Sequence, residues 1–189
     1  MRRWAALLAA LALALAWAAP LGAWLAPFPA HMLSHMTLVA VAAPLLVLAF
    51  PAQFDRLHVP ALAGAVAEFL IVWGWHLPAL HGAARLQTSW HLAEQALFLL
   101  GGLAVWAGAL RAHEPLAGAG ALLLTSMHMT FLGALLVLSN ADLYAAFCGT
   151  PPDLFGQRLG GLLMLGIGTP IYLLAGLWLT GLSLRERAA

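Results

Sequence analysis

Six long apolar runs restrict what this chain can fold into. Each run has about 20 residues, enough for a helix rising about 1.5 Å per residue to cross roughly 30 Å of hydrocarbon. Helices satisfy their own backbone groups in lipid, and no run alternates apolar and polar residues as a strand would. We therefore predict an all-α polytopic membrane protein, with one helical domain over residues 1–189. The six predicted spans are Trp4–Ala26, His31–Phe50, Val59–His76, Trp90–Leu110, Pro115–Ser139 and Leu159–Leu182.

Composition supports the membrane prediction and excludes other classes. Apolar residues make up 63% of the chain and charged residues only 8%, against about a quarter in soluble domains. The net charge of +1 leaves no basic surface for nucleic acid. The high apolar content makes the lipid bilayer the expected environment of the chain. Cys148 is the single cysteine, which excludes an intrachain disulfide and a C-x-x-C metal pair.

Arginine placement predicts the orientation of the bundle, because cytoplasmic loops carry an excess of basic residues. With both termini in the cytoplasm, only Arg85 and Arg158 fall on the outer side. The inner side then holds Arg2, Arg3, Arg56, Arg111, Arg185 and Arg187. This pattern predicts a multi-pass membrane protein with both termini in the cytoplasm.

The first span has a second interpretation as a cleaved signal peptide. Arg2 and Arg3 would be its charged region, and Ala16-Trp17-Ala18 its small-residue cleavage site. The apolar run continues past Ala18 to Phe28, which favours a retained helix. Cleavage would leave five spans without inverting the others.

Histidines concentrate at the predicted outer end of the bundle. His31 and His35 lie one helical turn apart at the start of the second span, with Met32 and Met36 in a parallel row about 100° away. His76 closes the third span and His91 opens the fourth at the same level. Histidines with purely structural roles would scatter over both sides, so this asymmetry favours a site that faces the periplasm.

Further polar residues lie deeper in the predicted bundle. His128 is near the middle of the fifth span, Glu68 is two turns below His76, and Glu94 is one turn below His91. Ionisable groups inside a membrane usually face the bundle interior and mark functional sites. Taken singly, a histidine near the headgroups is often only an interfacial residue, and methionines often fill gaps in packing.

Imidazole and thioether ligands together suit copper, especially Cu(I), better than hard cations. The predicted metal ligands are His31, His35, His76, His128 and Met36. Supporting or transfer roles are predicted for His91, Glu94, Met32, Met129 and Cys148. Because the His pair and the Met pair point in different directions, the pair at His31 and His35 forms one wall of a site completed from other helices.

Four ordered motifs resemble the CtaG family of integral-membrane cytochrome c oxidase assembly factors. The chain departs from the family pattern at Ser34, where Gln is frequent, at Gln95, where a second His is frequent, and in lacking a seventh span. The motifs are His31-Met32-x-x-His35-Met36 followed by Ala43-Pro44-Leu45; Trp75-His76-x-Pro78 with His91-x-x-Glu94, Phe98 and Trp106; His128 with Gly133-Ala134-Leu135 and Tyr144; and Gln157-x-x-Gly160-Gly161-x-x-Met164.

This resemblance implies a multi-pass protein of the bacterial inner membrane that helps to build a haem-copper oxidase by delivering or inserting copper, and that is not an enzyme. Its expected partners are haem-copper oxidase subunits or other copper chaperones. Three alternatives stay open from the residues alone. Glu68, Glu94 and His128 could line the path of a copper transporter, paired histidines could ligate a b-type haem, and His91-x-x-Glu94 could serve a metal-dependent hydrolase.

Overall fold

A computed structural model describes residues 2–188, which form helices joined by short turns, with no strand among them. The all-α prediction is confirmed. The helices are α1 (Arg2–Trp17), α2 (Leu21–Trp24), α3 (Pro27–Met36), α4 (Ala43–Ala49), α5 (Pro51–Asp55), α6 (Ala61–Trp75), α7 (Pro78–Leu86), α8 (Thr88–Leu110), α9 (Pro115–Leu138), α10 (Ala145–Cys148) and α11 (Leu154–Ala188). A π-helical segment, Thr37–Ala42, joins α3 to α4 without a break.

By length and hydropathy, 4 continuous helices are able to cross a membrane, and a fifth crossing arises if α6 and α7 together form one span bent by 72°. The four continuous helices coincide with the second, fourth, fifth and sixth predicted spans. Helix α6 coincides with the third predicted span. The four are Pro27–Ala49, Thr88–Leu110, Pro115–Leu138 and Leu154–Glu186. The chain therefore has the helices of a membrane protein.

The first predicted span is divided in the structure. Helix α1 has 16 residues, which span about 24 Å. The helical structure is interrupted at Pro20, before the four-residue α2. The buried face of α1 consists of Ala9, Ala12 and Ala16, and it packs against α4 and the π-helical segment. The count of six spans and the placement of both termini stay predictions.

Close helix contacts hold the bundle together. Helix α11 packs mainly against α9, and α6 packs against α8. Gly102 of α8 shows how tight the packing is, because a Cβ atom there would lie 2.9 Å from Val39 Cα and from Ala43 Cβ. Only glycine allows the π-helical segment to approach α8 so closely, as expected where lipid supplies no hydrophobic drive for association.

The π-helical segment follows from Pro44. Proline has no backbone N–H and its ring clashes with the carbonyl four residues earlier, so the regular helix cannot continue through Ala40 and Pro44. The Ala43 N–H instead donates to the Leu38 carbonyl, which leaves the Val39 carbonyl without a donor from its own helix. Trp106 Nε1 donates to this carbonyl at 2.8 Å, and the Tyr172 hydroxyl oxygen lies 3.1 Å from it.

The predicted orientation can be tested with reporters inserted into the full chain. We expect a fluorescent protein after Ala189 to fluoresce and alkaline phosphatase there to be inactive, because the last basic residues should lie in the cytoplasm. Alkaline phosphatase inserted after Thr150, at the histidine-rich end, should be active. An active phosphatase at the C terminus would contradict the predicted orientation.

Candidate metal centre

Four buried histidines meet at one end of the bundle. His31 and His35 belong to α3, His76 follows the last residue of α6, and His81 lies in α7. Each is at most 5% exposed. The ring centroids of His31 and His81 are 4.8 Å apart, and those of His35 and His76 are 5.2 Å apart. The four imidazoles thus form one compact group at this end of the bundle.

Most nitrogens of this histidine cluster (His31, His35, His76 and His81) have no partner among the described residues. Both ring nitrogens of His31 and of His35, and Nδ1 of His81, are buried without a hydrogen bond. Buried polar atoms are nearly always satisfied, so several unpaired nitrogens in one place call for an ion or water. Their lone pairs make the cluster chemically suited to a metal.

His76 is oriented as a metal ligand usually is. Its Nδ1 donates to the Val72 carbonyl at 2.7 Å, because a carbonyl can only accept. This bond fixes the tautomer and leaves the Nε2 lone pair free, 3.5 Å from the sulfur of Met32. The Tyr144 hydroxyl also donates to the His76 carbonyl at 3.1 Å, which holds the end of α6 in place.

The methionines divide between two places. Met32 is fully buried beside His76 and is the thioether at the histidine cluster. Met36 and Met129 meet instead at Gly168 of α11, where a Cβ atom would lie 3.6 Å from Met36 Sδ and 4.0 Å from Met129 Cβ. The sequence favoured Met36 as the ligand, whereas the geometry favours Met32.

A buried carboxylate, Glu94, borders the histidine cluster. Its side chain is fully buried, and its Oε2 accepts a hydrogen bond from Arg85 at 2.6 Å. The same guanidinium donates to His91 Nδ1 at 2.9 Å. Glu94 Oε2 also lies 3.6 Å from His31 Nδ1, so the carboxylate connects the arginine to the cluster.

One part of the cluster has the donor set of a general metal site. One ligand atom each from His31, His81 and Glu94 lies within 4.8 Å of the others. The free Oε1 of Glu94 is 4.0 Å from His81 Nδ1 and has no partner among the described residues. Two imidazoles and a carboxylate are compatible with several transition metals.

Two cavities reach the cluster from outside. The larger, about 500 Å³, includes His81, Arg85, Asp142 and Cys148 in its wall. The smaller, about 400 Å³, includes His31, Arg85 and His91. Arg85 is thus common to both cavities, and each gives a different histidine of the cluster access to the surface.

The wall of the larger cavity is shaped by the loop around α10. Burial alone would raise the pKa of Asp142, but backbone N–H groups of Asp153, Tyr144 and Ala145 donate to its carboxylate and hold the pKa below its ordinary value. Burial raises the pKa of the half-buried Cys148 thiol. The loop therefore presents a carboxylate beside a protonated thiol.

A second polar group lies deeper in the bundle. The Tyr172 hydroxyl donates to Glu68 Oε1 at 2.5 Å, and both side chains are fully buried. Glu68 Oε2 lies 3.7 Å from His128 Nε2, and neither atom has a hydrogen-bond partner among the described residues. Phe69 packs edge-on against the His128 ring, with centroids 5.2 Å apart.

The predicted site residues thus fall into two levels. The first level, at the histidine-rich end of the bundle, brings together His31, His35, His76, Met32 and Glu94, with His91 and Cys148 at its edges. His128 lies at the deeper level beside Glu68, while Met36 and Met129 are at Gly168. Sequence reasoning did not select His81, Arg85 or Tyr172 for the site. The HxxE spacing identified Glu94, but nothing in it indicated that α7 folds back onto that carboxylate.

The two substitutions relative to the CtaG pattern contact each other. Ser34 Oγ lies 3.1 Å from Gln95 Oε1 and 2.9 Å from the carbonyl oxygen of Ala16. The hydroxyl has a single hydrogen for these two acceptors. Gln95 Nε2 in turn donates to Glu94 Oε2 at 3.5 Å. These residues therefore connect α1 to the carboxylate of the centre, without adding an imidazole.

A comparison with models of protein families matches most of the chain. A family model described as "Cytochrome c oxidase caa3 assembly factor (Caa3_CtaG)" matches residues 54–186. The matched part includes His76, His81, Glu94 and His128, while His31 precedes it. No curated protein and no solved structure matches the chain.

The hydrogen bond between Tyr172 and Glu68 can be tested by paired substitutions. Tyr172→Phe should destabilise the protein by about 1–3 kcal/mol, because a buried carboxyl oxygen loses its donor. Replacing both partners, with Glu68→Met and Tyr172→Phe, should cost less than the single change. Unfolding in detergent measures both, and a double variant less stable than Tyr172→Phe would contradict this account.

Proposed function

The chain belongs to the cytochrome c oxidase caa3 assembly factor family, and on that premise we propose that it holds copper for a haem-copper oxidase under assembly. The copper would bind at the histidine cluster, on the periplasmic side of the inner membrane. The role is one of delivery, with no chemical turnover. The partners would be oxidase subunits and the copper chaperones that supply the ion.

The group of unpartnered imidazole nitrogens carries this proposal. A buried nitrogen without a hydrogen bond is costly, and several of them in one cluster would be stabilised by a bound ion. His76 supports it further, since the Val72 carbonyl fixes its tautomer so that Nε2 can ligate. The ligands are neutral and close together, as a site for a soft cation requires.

The softest donors lie on the inner side of the cluster. His35, His76 and the sulfur of Met32 offer two imidazoles and a thioether, a set that favours Cu(I). His31, His81 and Glu94 lie nearer the cavities and would receive the ion first. Exchange between these two sets lets copper move inward without losing all of its ligands.

His128 and Met36, which the sequence also favours as ligands, would act at a later step. His128 lies beside Glu68 at the deeper level, which also supports a second candidate, a copper carrier across the membrane. Uptake of copper into proteoliposomes distinguishes the carrier from the assembly factor.

A b-type haem is disfavoured, because the Phe98 ring stacks on His35 with centroids 4.0 Å apart, where a macrocycle would need space.

Copper binding can be measured on the purified protein by competition with a Cu(I) chelator. We expect the double variant His35→Ala, His76→Ala to lose at least about 100-fold in Cu(I) affinity, since it removes two direct ligands. The matched control is His113→Ala, because His113 is exposed at the opposite end of the bundle. Equal Cu(I) affinity in the native protein and the double variant would show that copper does not bind at this site.

The assembly role has its own measurement in cells. A strain that produces only the double variant should contain less active haem-copper oxidase, and added copper should restore part of the activity. The His113→Ala strain should match the native strain. Normal oxidase activity in a strain lacking the gene would remove the assembly role while leaving copper binding to be judged by the affinity measurement.

A further inference from the structure

Arg85 places a fixed positive charge at the edge of the histidine cluster. Its guanidinium donates to the fully buried Glu94 carboxylate at 2.6 Å and to His91 at 2.9 Å. The arginine side chain itself is 23% exposed, where it borders both cavities. The two opposite charges cancel, so the cluster meets an incoming ion with neutral imidazole and thioether ligands and no net charge.

We propose that Arg85 determines which metal the centre accepts, by favouring monovalent Cu(I) over divalent ions. This inference rests on the proposed function, because it takes the histidine cluster as the copper site. The donor set of His31, His81 and Glu94 alone would accept divalent transition metals such as Zn(II). Arg85 makes that donor set unfavourable for them in two ways.

First, Arg85 occupies the carboxylate. Glu94 Oε2 carries the hydrogen bond from the guanidinium, and this leaves Oε1 as the oxygen available to a metal. A strongly charged carboxylate is the ligand that most distinguishes a divalent from a monovalent ion, because its attraction doubles with the charge of the metal. An arginine paired to it removes most of that advantage.

Second, the guanidinium repels the ion directly. Glu94 Oε2 lies 2.6 Å from Arg85 Nη2 and 3.6 Å from His31 Nδ1, so the guanidinium nitrogen is at most about 6 Å from His31 Nδ1, the sum of the two distances. At an effective dielectric constant of about 20, a positive charge about 6 Å away changes binding roughly 100-fold for each unit of metal charge, and in the native centre this repulsion offsets the attraction of the ion to Glu94. A divalent ion loses twice as much free energy as Cu(I), and partial exposure of Arg85 reduces both effects.

Charge can be separated from packing with three variants. Arg85→Gln keeps hydrogen-bond donors beside Glu94 and removes the charge, whereas Arg85→Lys keeps the charge with a different shape. The double variant Arg85→Gln, Glu94→Gln removes both charges and restores a neutral centre. Competition with a Cu(I) chelator and with a zinc indicator gives the two affinities for each purified protein in detergent.

The ratio of Zn(II) affinity to Cu(I) affinity tests the inference. We expect it to rise about 10- to 100-fold in Arg85→Gln, to stay within about 3-fold of the native value in Arg85→Lys, and to return toward the native value in the double variant. An unchanged ratio in Arg85→Gln, or an equal rise in Arg85→Lys, would overturn the role of charge.

The proposed function is judged separately, by the Cu(I) affinity of the native protein. If the native protein binds no Cu(I) but Arg85→Gln gains Zn(II), the copper role is removed and the exclusion of divalent ions by Arg85 stands. If native protein binds Cu(I) and no variant changes the ratio, only the inference about Arg85 is lost. Absence of both metals in all variants overturns both.

Discussion

The Val39 carbonyl is the constraint on which the rest of the bundle depends. Pro44 interrupts the regular helix, and the Ala43 N–H that would otherwise bond to Val39 donates to Leu38. A carbonyl without a donor in a membrane interior costs several kcal/mol. Trp106 of α8 supplies a donor to the Val39 carbonyl. The Tyr172 hydroxyl of α11 lies 3.1 Å from the same carbonyl while it donates its single hydrogen to Glu68 of α6. One absent N–H group therefore links four helical segments and fixes how α3 and its histidines are set against α6.

The sequence predicts the long helices and much of the outer site, because apolar run length and i, i+4 spacing are local properties. His31, His35 and Glu94 follow from spacing alone. His81 and Arg85 do not, since their positions depend on the 72° bend between α6 and α7. The motif Trp75-His76-Leu77-Pro78 predicts that a helix ends here. The direction of the next helix depends on packing between residues that are distant in sequence.

The choice between Met32 and Met36 illustrates the same limit. Helix geometry places both sulfurs to one side of the histidine pair, so the preference for Met36 had no support from helical spacing. The neighbouring helix decides, because α6 ends where His76 meets Met32, one turn away from Met36. Met36 then fills the space left by Gly168, as methionine often does in an irregular core.

Buried charge is distributed so that the metal ligands stay neutral. Glu94 is fully buried, and Arg85 and Gln95 stabilise it by donating hydrogen bonds to its Oε2. The carboxylate therefore lies beside the cluster with its charge balanced by the guanidinium. The bend that carries Arg85 is itself held from outside, since Gly82 lies so close to Phe147 of α10 that a Cβ atom would be 2.6 Å from its carbonyl oxygen. The loop around α10 thus sets the position of Arg85, and with it the charge that an ion in the cluster would meet.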